Sequence, residues 1–562
     1  MVSAAFITQM ERLQDSSPQI KVEITIDDVT TDLTTYYLSG ANFQQIKERA
    51  PDEIQAGDFV VSFANHDNTF SEFVPSSLFF GKKYHGSKIV ISMGLVLPDG
   101  TVEYSPQATG FIDDLFIDPS LSMVTLRCRD RIRKAIDRNL HQRPSGETLI
   151  ADSENTGNGT ASDVVTKPFK TITENWTLEC TTPGEDGVAE FSVVGSVSGN
   201  VGTAISSAVF STGDGAGGVK FTIQAGSIPW SAGDTFTFNT KKYPEWVDIN
   251  VVKIIWSVLT GYDWDSDTKE DFSDFCLDFD HSQSEDNVDI NYESFVNSID
   301  ALDTITGFNI TGYAKYNENT VEFLQGLTLL FLGSIYTEGD GRLAVNVYNP
   351  NAPHVSSRSF TDDKKISFLG YSRTVDEVIN YVSVHYKKVN AWEFSDETVI
   401  YQGNYVALNQ QSINDHDKNY YTQGFTVAWY QSNGQHVQDF ANRLVLKYAY
   451  EPLNIDLTTG LDALETNIGD IVSVTDTKYA LNNLIGEVCK IQKQFDENPK
   501  SIALRIRRDS DLELLFGFLG SRADEGDGLS PQANTYGAAS DADKGFCYLG
   551  SRADSEPGYK MF

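Results

Sequence analysis

Apolar and polar residues alternate from Lys88 to Lys134 in a succession of short runs, the period of two that strands show when one face is buried. The runs predict strands over Ile89–Leu97, Thr101–Tyr104, Gly110–Ile117 and Val124–Cys128. Pro98-Asp99-Gly100 joins the first two, and Asp-Gly between alternating apolar residues signals a hairpin because glycine takes the positive φ of a tight turn. Earlier in the chain the same alternation runs from Ile20 through KVEITID and TTYYLSG. Residues 42–52 read as a short helix or loop before Gly57, and Ser76–Gly86 as a loop.

The pattern returns near the end. Gly110-Phe-Ile-Asp-Asp-Leu-Phe-Ile followed by Val124-Thr-Leu-Arg-Cys-Arg-Asp130 lines up with Gly486-Glu-Val-Cys-Lys-Ile-Gln-Lys followed by Ile502-Ala-Leu-Arg-Ile-Arg-Arg-Asp509. Both are hairpins that close on an arginine-rich strand tail. A looser echo links Gly57-Asp-Phe-Val-Val with Gly469-Asp-Ile-Val-Ser. Two copies predict two related β-barrels and not a solenoid, which needs a longer array.

The run from Phe79 to Arg133 resembles the first domain of the tail hub proteins of tailed bacteriophages, and Asn380-Tyr-Val-Ser-Val-His-Tyr through Asp509 resembles the second. The resemblance spans roughly Ile20 to Asp509 with interruptions and rests on strand order, not on an invariant motif. It implies a virion protein at the baseplate or tail tip, assembled in the host bacterial cytoplasm. It further implies a homotrimer whose two tube-like domains per subunit present six units to a six-fold tail tube. The implied partners are the tail tube or a distal tail protein and a central fibre or receptor-binding protein, with phage DNA transiting the lumen without stable binding.

Between the two β regions the pattern changes twice. Residues 145–242 are rich in Gly, Ser and Thr and carry short alternating runs (EFSVVGS, VKFTIQAG, DTFTFNT), which predict an inserted small β-sandwich. From Pro244-Glu-Trp to Thr260-Gly261 apolar residues recur at helical spacing, and further helices are expected over Glu293–Ile305 and Val321–Leu332, the last leading into a hairpin at Gly333–Tyr336 and Arg342–Tyr348. HVQDFANRLVLKYAYEP beside TVAWYQSNG suggests a helix set among the strands of the second barrel, which is expected to start near Glu377. The predicted fold class is mainly β with α+β elements: a first tube-like barrel over 1–144, the sandwich over 145–242, a mixed connecting region over 243–370, a second barrel over 371–510 and an extended tail over 511–562.

Composition narrows the function. The chain has 562 residues, and at ~100 to 200 residues per domain the length allows about three to five domains. Its net charge of −36 disfavours stable binding to a phosphate backbone and suits either a conduit through which DNA slides or solubility alone. The basic segment RDRIRKAIDRNLHQR is read as a solvated face that offsets neighbouring carboxylates, with a docking face for an acidic partner as the alternative. Five dispersed cysteines (128, 180, 276, 489, 547) contain no CxxC pair, which argues against a zinc ribbon or a disulfide framework. The N-terminus lacks a signal-peptide pattern, and the most apolar run, Phe323–Tyr336, is too short to span a bilayer, so no membrane anchor is expected.

Motifs for chemistry are weak. Gly213, Gly215 and Gly218 form a literal GxGxxG, but Asp214 would repel phosphate and a strand follows instead of a helix, so a glycine-rich hairpin loop is expected. Asp263, Asp265, Asp267 and Asp274 match EF-hand spacing in part; Thr268 stands where the sharp turn needs glycine, and a solvated acidic loop is preferred over a calcium site. The histidines show no metal or catalytic spacing, and HExxH, GxSxG and GxxxxGK[ST] are absent from the sequence. No catalytic, metal or cofactor residues are expected, and no enzyme. The alternative function is carbohydrate binding or host adhesion through the insert, where Trp176 and Trp230 are the candidate sugar platforms.

The tail carries the remaining candidates. Gly517-Phe-Leu-Gly-Ser-Arg-Ala-Asp524 returns as Cys547-Tyr-Leu-Gly-Ser-Arg-Ala-Asp554 within a polar stretch that cannot form its own core. Phe518, Leu519, Arg522, Tyr548, Leu549 and Arg552 are expected to dock on a neighbouring subunit or the next tail protein, the alternative being a relic of duplication in a disordered terminus.

Overall fold

A computed structural model describes residues 2–11, 18–40, 42–47, 57–120, 122–132, 139–140, 148–167, 170–212, 218–270, 272–273, 276–303, 308–314, 318–347, 356–388, 401–417, 425–427, 434–494 and 501–509. Its dominant element is one 14-stranded sheet built from both ends of the chain. Numbered along the chain, the strands of that sheet are β1 (Gln19–Ile26), β2 (Val29–Asp32), β3 (Tyr37–Gly40), β4 (Asn42–Ile46), β5 (Asp58–Ala64), β6 (Lys88–Val96), β7 (Val102–Asp118) and β8 (Met123–Arg129). The later strands are β9 (Arg358–Phe360), β10 (Lys365–Arg373), β11 (Leu453–Thr459), β12 (Ile471–Asp476), β13 (Leu481–Gln494) and β14 (Ile502–Arg508). The order is β2-β1-β6-β7-β8-β5-β4-β13-β14-β11-β10, with β3 on β5, and β12 on β13 carrying β9.

The expected hairpin forms as its residues dictate. Gly100 takes φ +86°, the Asp99 carboxylate accepts from the Thr101 N–H (2.9 Å) and hydroxyl (2.6 Å), and β6 leads into β7. Thr101–Tyr104 and Gly110–Ile117 are not separate strands, however. They belong to one 17-residue strand, β7, in which the pairing with β6 shifts at Gln107, the residue between Pro106 and Ala108. A bulge bends a strand without ending it, so the polar Ser105-Pro106-Gln107 stretch imitates a loop.

The two β regions do not form two closed barrels. Among the described residues the sheet closes nowhere on itself; the first region meets the second edge to edge, through antiparallel pairing of β4 with Lys490–Gln494 of β13. β4 itself overturns the helix-or-loop reading of 42–52 over Asn42–Ile46, because its pairing partner lies far along the sequence and leaves no local signal. One apolar core backs the sheet, from Phe6 and Met10 of the N-terminal helix through Val61, Ile91 and Leu126 to Ile455, Val488 and Leu504.

The repeat is real, and over the closing hairpin its register is that of the sequence echo, with Gly110 matching Gly486 and Val124 matching Ile502, while the looser echo is out of register. β5, β6, β7 and β8 correspond in order and pairing to β11, β12, β13 and β14, and β3 with β4 to β10. Two irregularities coincide: β7 against β8 shifts between Ile112 and Asp114 as β13 against β14 shifts between Val488 and Lys490, and β3 shifts between Tyr37 and Ser39 as β10 does between Lys365 and Ser367. Gly57 and Gly469 are therefore not equivalent, since β12, which follows Gly469, takes the place of β6 and not of β5.

Residues 148–240 contain a five-stranded and a four-stranded sheet around their own core of Trp176, Leu178, Phe191, Val219, Phe221 and Phe238. A second apolar core gathers the helices Val251–Thr260, Tyr292–Asp303 and Thr320–Phe331. Asn250 and Asn319 cap the first and third of these by accepting from the N–H groups of Val252 and Val321 (both 2.9 Å). Pro244-Glu-Trp does not begin a helix: Glu245–Asn250 is a strand paired with Asn309–Tyr313, and the helix starts only after the Asn250 cap. Strands Tyr381–Lys388 and Tyr401–Leu408 and the helix Gly434–Tyr448, expected in the second barrel, pack into this same helical core, whereas β9 and β10 from the expected connecting region enter the large sheet.

Candidate assembly site: the joint between the two β units

The joint is narrow in backbone terms and dense in buried charge. Immediately after β4 the Lys47 N–H donates to the Cys489 carbonyl (2.7 Å), and the Lys47 ammonium donates to Glu487 (2.6 Å) with both side chains almost wholly buried. Lys447, from the helix Gly434–Tyr448, reaches the same carboxylate (3.4 Å) and lies 4.0 Å from Asp509, which faces Arg507 at 3.3 Å. Burial alone would raise the Glu487 pKa, but Lys447, Lys47 and Arg507 override it and hold the carboxyl well below its usual range. Burial pushes the neighbouring Cys489 thiol up to about 11, so it stays neutral. Three parts of the chain are thus held by one carboxylate.

A second polar network lies on the far side of the joint. Lys493 of β13 donates to Gln107 (3.0 Å) and to the Leu464 carbonyl (2.7 Å), while the Ser105 hydroxyl donates to Glu465 (2.6 Å). The hairpin of Ser334–Thr337 with Leu343–Asn346 wedges in here: Thr109 donates to the Gly339 carbonyl (2.8 Å) and Gln45 to the Thr337 carbonyl (2.6 Å). Gly339 and Gly341 allow the approach, since a β-carbon would sit 2.4 Å from the Pro106 carbonyl oxygen or 2.5 Å from Thr109. Around the hairpin opens a cavity of about 500 Å³ lined by Glu103, Glu293, Glu338, Asp340, Glu465 and Lys493 among others. Burial, with Asp340 beside it, raises Glu338 to about 7; burial raises Asp470 to about 6 and lowers Lys493 to about 8. The joint thus gathers three buried groups whose pKa values are drawn toward neutrality.

The arginine-rich strand tails are internally paired. Arg127 faces Asp58 (3.7 Å), Arg129 faces Asp113 (2.8 Å), Arg131 binds Asp289, and Arg505 makes a two-pronged contact with Asp456 (2.8 and 3.1 Å). These pairs match the reading of a face whose cations offset neighbouring carboxylates. The rest of that basic segment, from Arg133 to Lys134 and beyond, lies outside the described residues apart from Asn139–Leu140.

Other sequence candidates fall as follows. Phe518, Leu519, Arg522, Tyr548, Leu549 and Arg552 lie outside the described residues, as do Gly213, Gly215 and Asp274. Gly218 opens the strand Val219–Gln224, which pairs with Val209–Ser211 as a hairpin. In the acidic loop Asp263 accepts from the Ser266 N–H and hydroxyl (2.8 and 2.7 Å), and Asp265 binds Lys253 (2.7 Å), so those carboxylates already serve the turn and the adjoining helix. Among the described residues no cluster of three His, Cys, Asp or Glu side chains could hold a metal ion.

Trp176 and Trp230 are interior residues. Trp176 stacks on Phe238 at 5.6 Å and donates to Thr240 (2.9 Å); Trp230 packs edge-on against Phe191 and Phe236 beneath Gly157 and Gly159. Neither can present a stacking face to a sugar. Sequence reasoning missed the Lys47–Glu487 contact, 440 positions apart, whose only available signal was the repeat itself: one hairpin strand of each copy needs a neighbour on its outer edge.

No protein-family profile matches the chain, and no curated protein does. Solved structures do. The chain is similar to a tail protein from Neisseria meningitidis MC58 (9 % identity, TM-score 0.39, covering 88 % of this chain and 98 % of the other). It is similar to the 43 kDa tail protein of prophage MuSo2 from Shewanella oneidensis (10 %, 0.39, 88 % and 99 %). A third likeness is to prophage tail protein gp18 from Listeria monocytogenes EGD-e (8 %, 0.39, 87 % and 95 %). At these identities and TM-scores the likenesses are partial, and the role of the chain rests on its own strands and residues.

Proposed function

We propose that this chain is a structural subunit of a bacteriophage tail: a hub that forms a three-fold ring at the baseplate or tail tip and adapts a six-fold tube to a three-fold tip. The observation that carries the reading is the duplicated β unit, joined within one chain edge to edge and, among the described residues, left open at its outer edges. Two units per subunit in a ring of three make six equivalent positions, and a head-to-tail interface closes into such a ring when its rotation fits. The internally paired arginines and the charge of −36 support a channel that DNA crosses without being held. The outer surfaces would anchor a distal tail protein, a central fibre or a receptor-binding protein. The adhesion reading has lost its aromatic platforms, since both insert tryptophans are interior. Native mass spectrometry of the purified chain tests the proposal: a trimer is expected, and a stable monomer at all concentrations, or a hexamer with twelve β units, contradicts it.

A further inference from the structure

The two halves of the repeat differ in one respect that matters: what lies on the outer edge of the long hairpin strand. In the second unit β13 is flanked by β12 over Leu481–Glu487 and then by β4 over Lys490–Gln494. In the first unit β7 is flanked by β6 as far as Phe111, and beyond that point no strand takes its outer edge among the described residues. The position that β4 fills on β13 is therefore open on β7. Conversely β10, the counterpart of β4, pairs with β11 on one side and ends the sheet on the other.

We propose that β10 of one copy pairs antiparallel with Asp114–Ile117 of β7 in a second copy, repeating between chains the joint that β4 and β13 make within one. This rests on the hub reading and adds the strands and register of its seam.

The register follows from the recorded pairings. Gln44 lies opposite Asp58 and Gln492; Ser372 lies opposite Asn454, whose place beside Arg507 matches that of Asp58 beside Arg129. Ser372 is thus the counterpart of Gln44. Gln492 lies opposite Ala503 as Phe116 lies opposite Thr125, each the third pair past the matching bulge. Phe116 of one copy therefore faces Ser372 of the next, and Ile117 faces Tyr371.

The exposed side chains fit that register. Phe116 is 65 % exposed and lies on the face of Ser372, while Tyr371, 59 % exposed, lies on the other face opposite Ile117 and touches Tyr479 edge-on. An open apolar edge is what natural sheets avoid unless it has a partner. Phe116 would lie across Ser372 toward Gly370, where nothing stands within 4 Å of an added β-carbon, so the ring has room. Strand addition supplies main-chain hydrogen bonds, and the aromatic contact supplies the choice of register.

The test is disulfide trapping in the full chain. The double variant Phe116→Cys/Ser372→Cys is oxidised, resolved on a non-reducing gel and compared with Phe116→Cys/Tyr371→Cys, whose second position points to the opposite face. The four described native cysteines are all buried and supply little background. Covalent oligomers are expected from the first variant and few from the second. Phe116→Asp, at a site exposed within the subunit, should keep the thermal melt and weaken self-association at least about tenfold. A trimer by native mass that neither links in register nor responds to Phe116→Asp overturns the seam and leaves the hub reading standing. In-register links in a particle that is not three-fold keep the seam and overturn the hub. A chain that is monomeric at every concentration overturns both.

Discussion

Glu487 shows why the joint is held by charge. Taking a carboxylate and two lysines out of water is costly, and the gain from pairing rarely exceeds that cost, so such groups fix an arrangement more than they stabilise it. A slip by one position along β13 would turn Phe43 out of the core and part Lys47 from Glu487, so the ion pair adds to the register that the apolar pattern sets. Glu487→Gln leaves Lys47 and Lys447 facing each other without their carboxylate, and is expected to lower unfolding stability by about 3 kcal/mol or more at pH 7. Urea denaturation checks this, and a loss below about 1 kcal/mol contradicts the role assigned to the carboxylate.

Glu338 makes the opposite contribution. Its folded pKa of about 7 stands above the ordinary 4.5, so the stability it contributes is complete below pH 4.5 and is lost as pH rises through 7. Glu338→Gln should therefore match the parent protein near pH 4.5 and exceed it by about 2 kcal/mol near pH 8, allowing for the partial opening to the cavity. Equal stability of the two proteins at both pH values contradicts the burial argument. Neither residue stands out in the sequence, where 79 acidic residues make any one carboxylate uninformative.

Elements whose signals are local were legible; those defined by remote pairing were not. The Asp99-Gly100 turn and the helices around Phe295 and Phe323 are written in consecutive residues, and they form within a few positions of expectation. β4 gives no strand signal of its own because its strand character comes from β13, and Trp246 falls in the expected helix because a short strand followed by a capped helix gives the same run of apolar residues. The burial of Trp230 depends on Gly157 and Gly159 crossing its ring, a contact that composition cannot reveal. The core at 148–240 draws on its own strands, so deleting 145–242 and joining the flanks should leave the large sheet folded, with Tm within about 5 °C, and the oligomer intact. Loss of solubility on deletion would place the insert in the core, and loss of host binding with assembly intact would revive the adhesion reading. The tail is tested in the same way: truncation after Asp511 is expected to keep the melt and weaken ring closure or partner attachment at least about tenfold, and unchanged assembly removes the docking role from Phe518 and Tyr548.

For the whole molecule the governing fact is that duplication and fusion of the sheet occur together. A closed barrel has no edges to offer. Among the described residues this chain instead joins its two units by one edge and leaves β10 and the end of β7 open, and in the proposed ring that internal joint is the pattern for the one between copies. The insert and part of the helical core come from the segment between β8 and β9, and the rest of that core from the segment between β10 and β11. In the proposed ring six equivalent β units come from three chains. A cryo-EM reconstruction without imposed symmetry is expected to show three copies with six β units about 60° apart around one lumen, seamed alternately by β4 on β13 and by β10 on β7. A ring whose units are unevenly spaced, or one in which the duplicated β units face outward while another element lines the lumen, contradicts it.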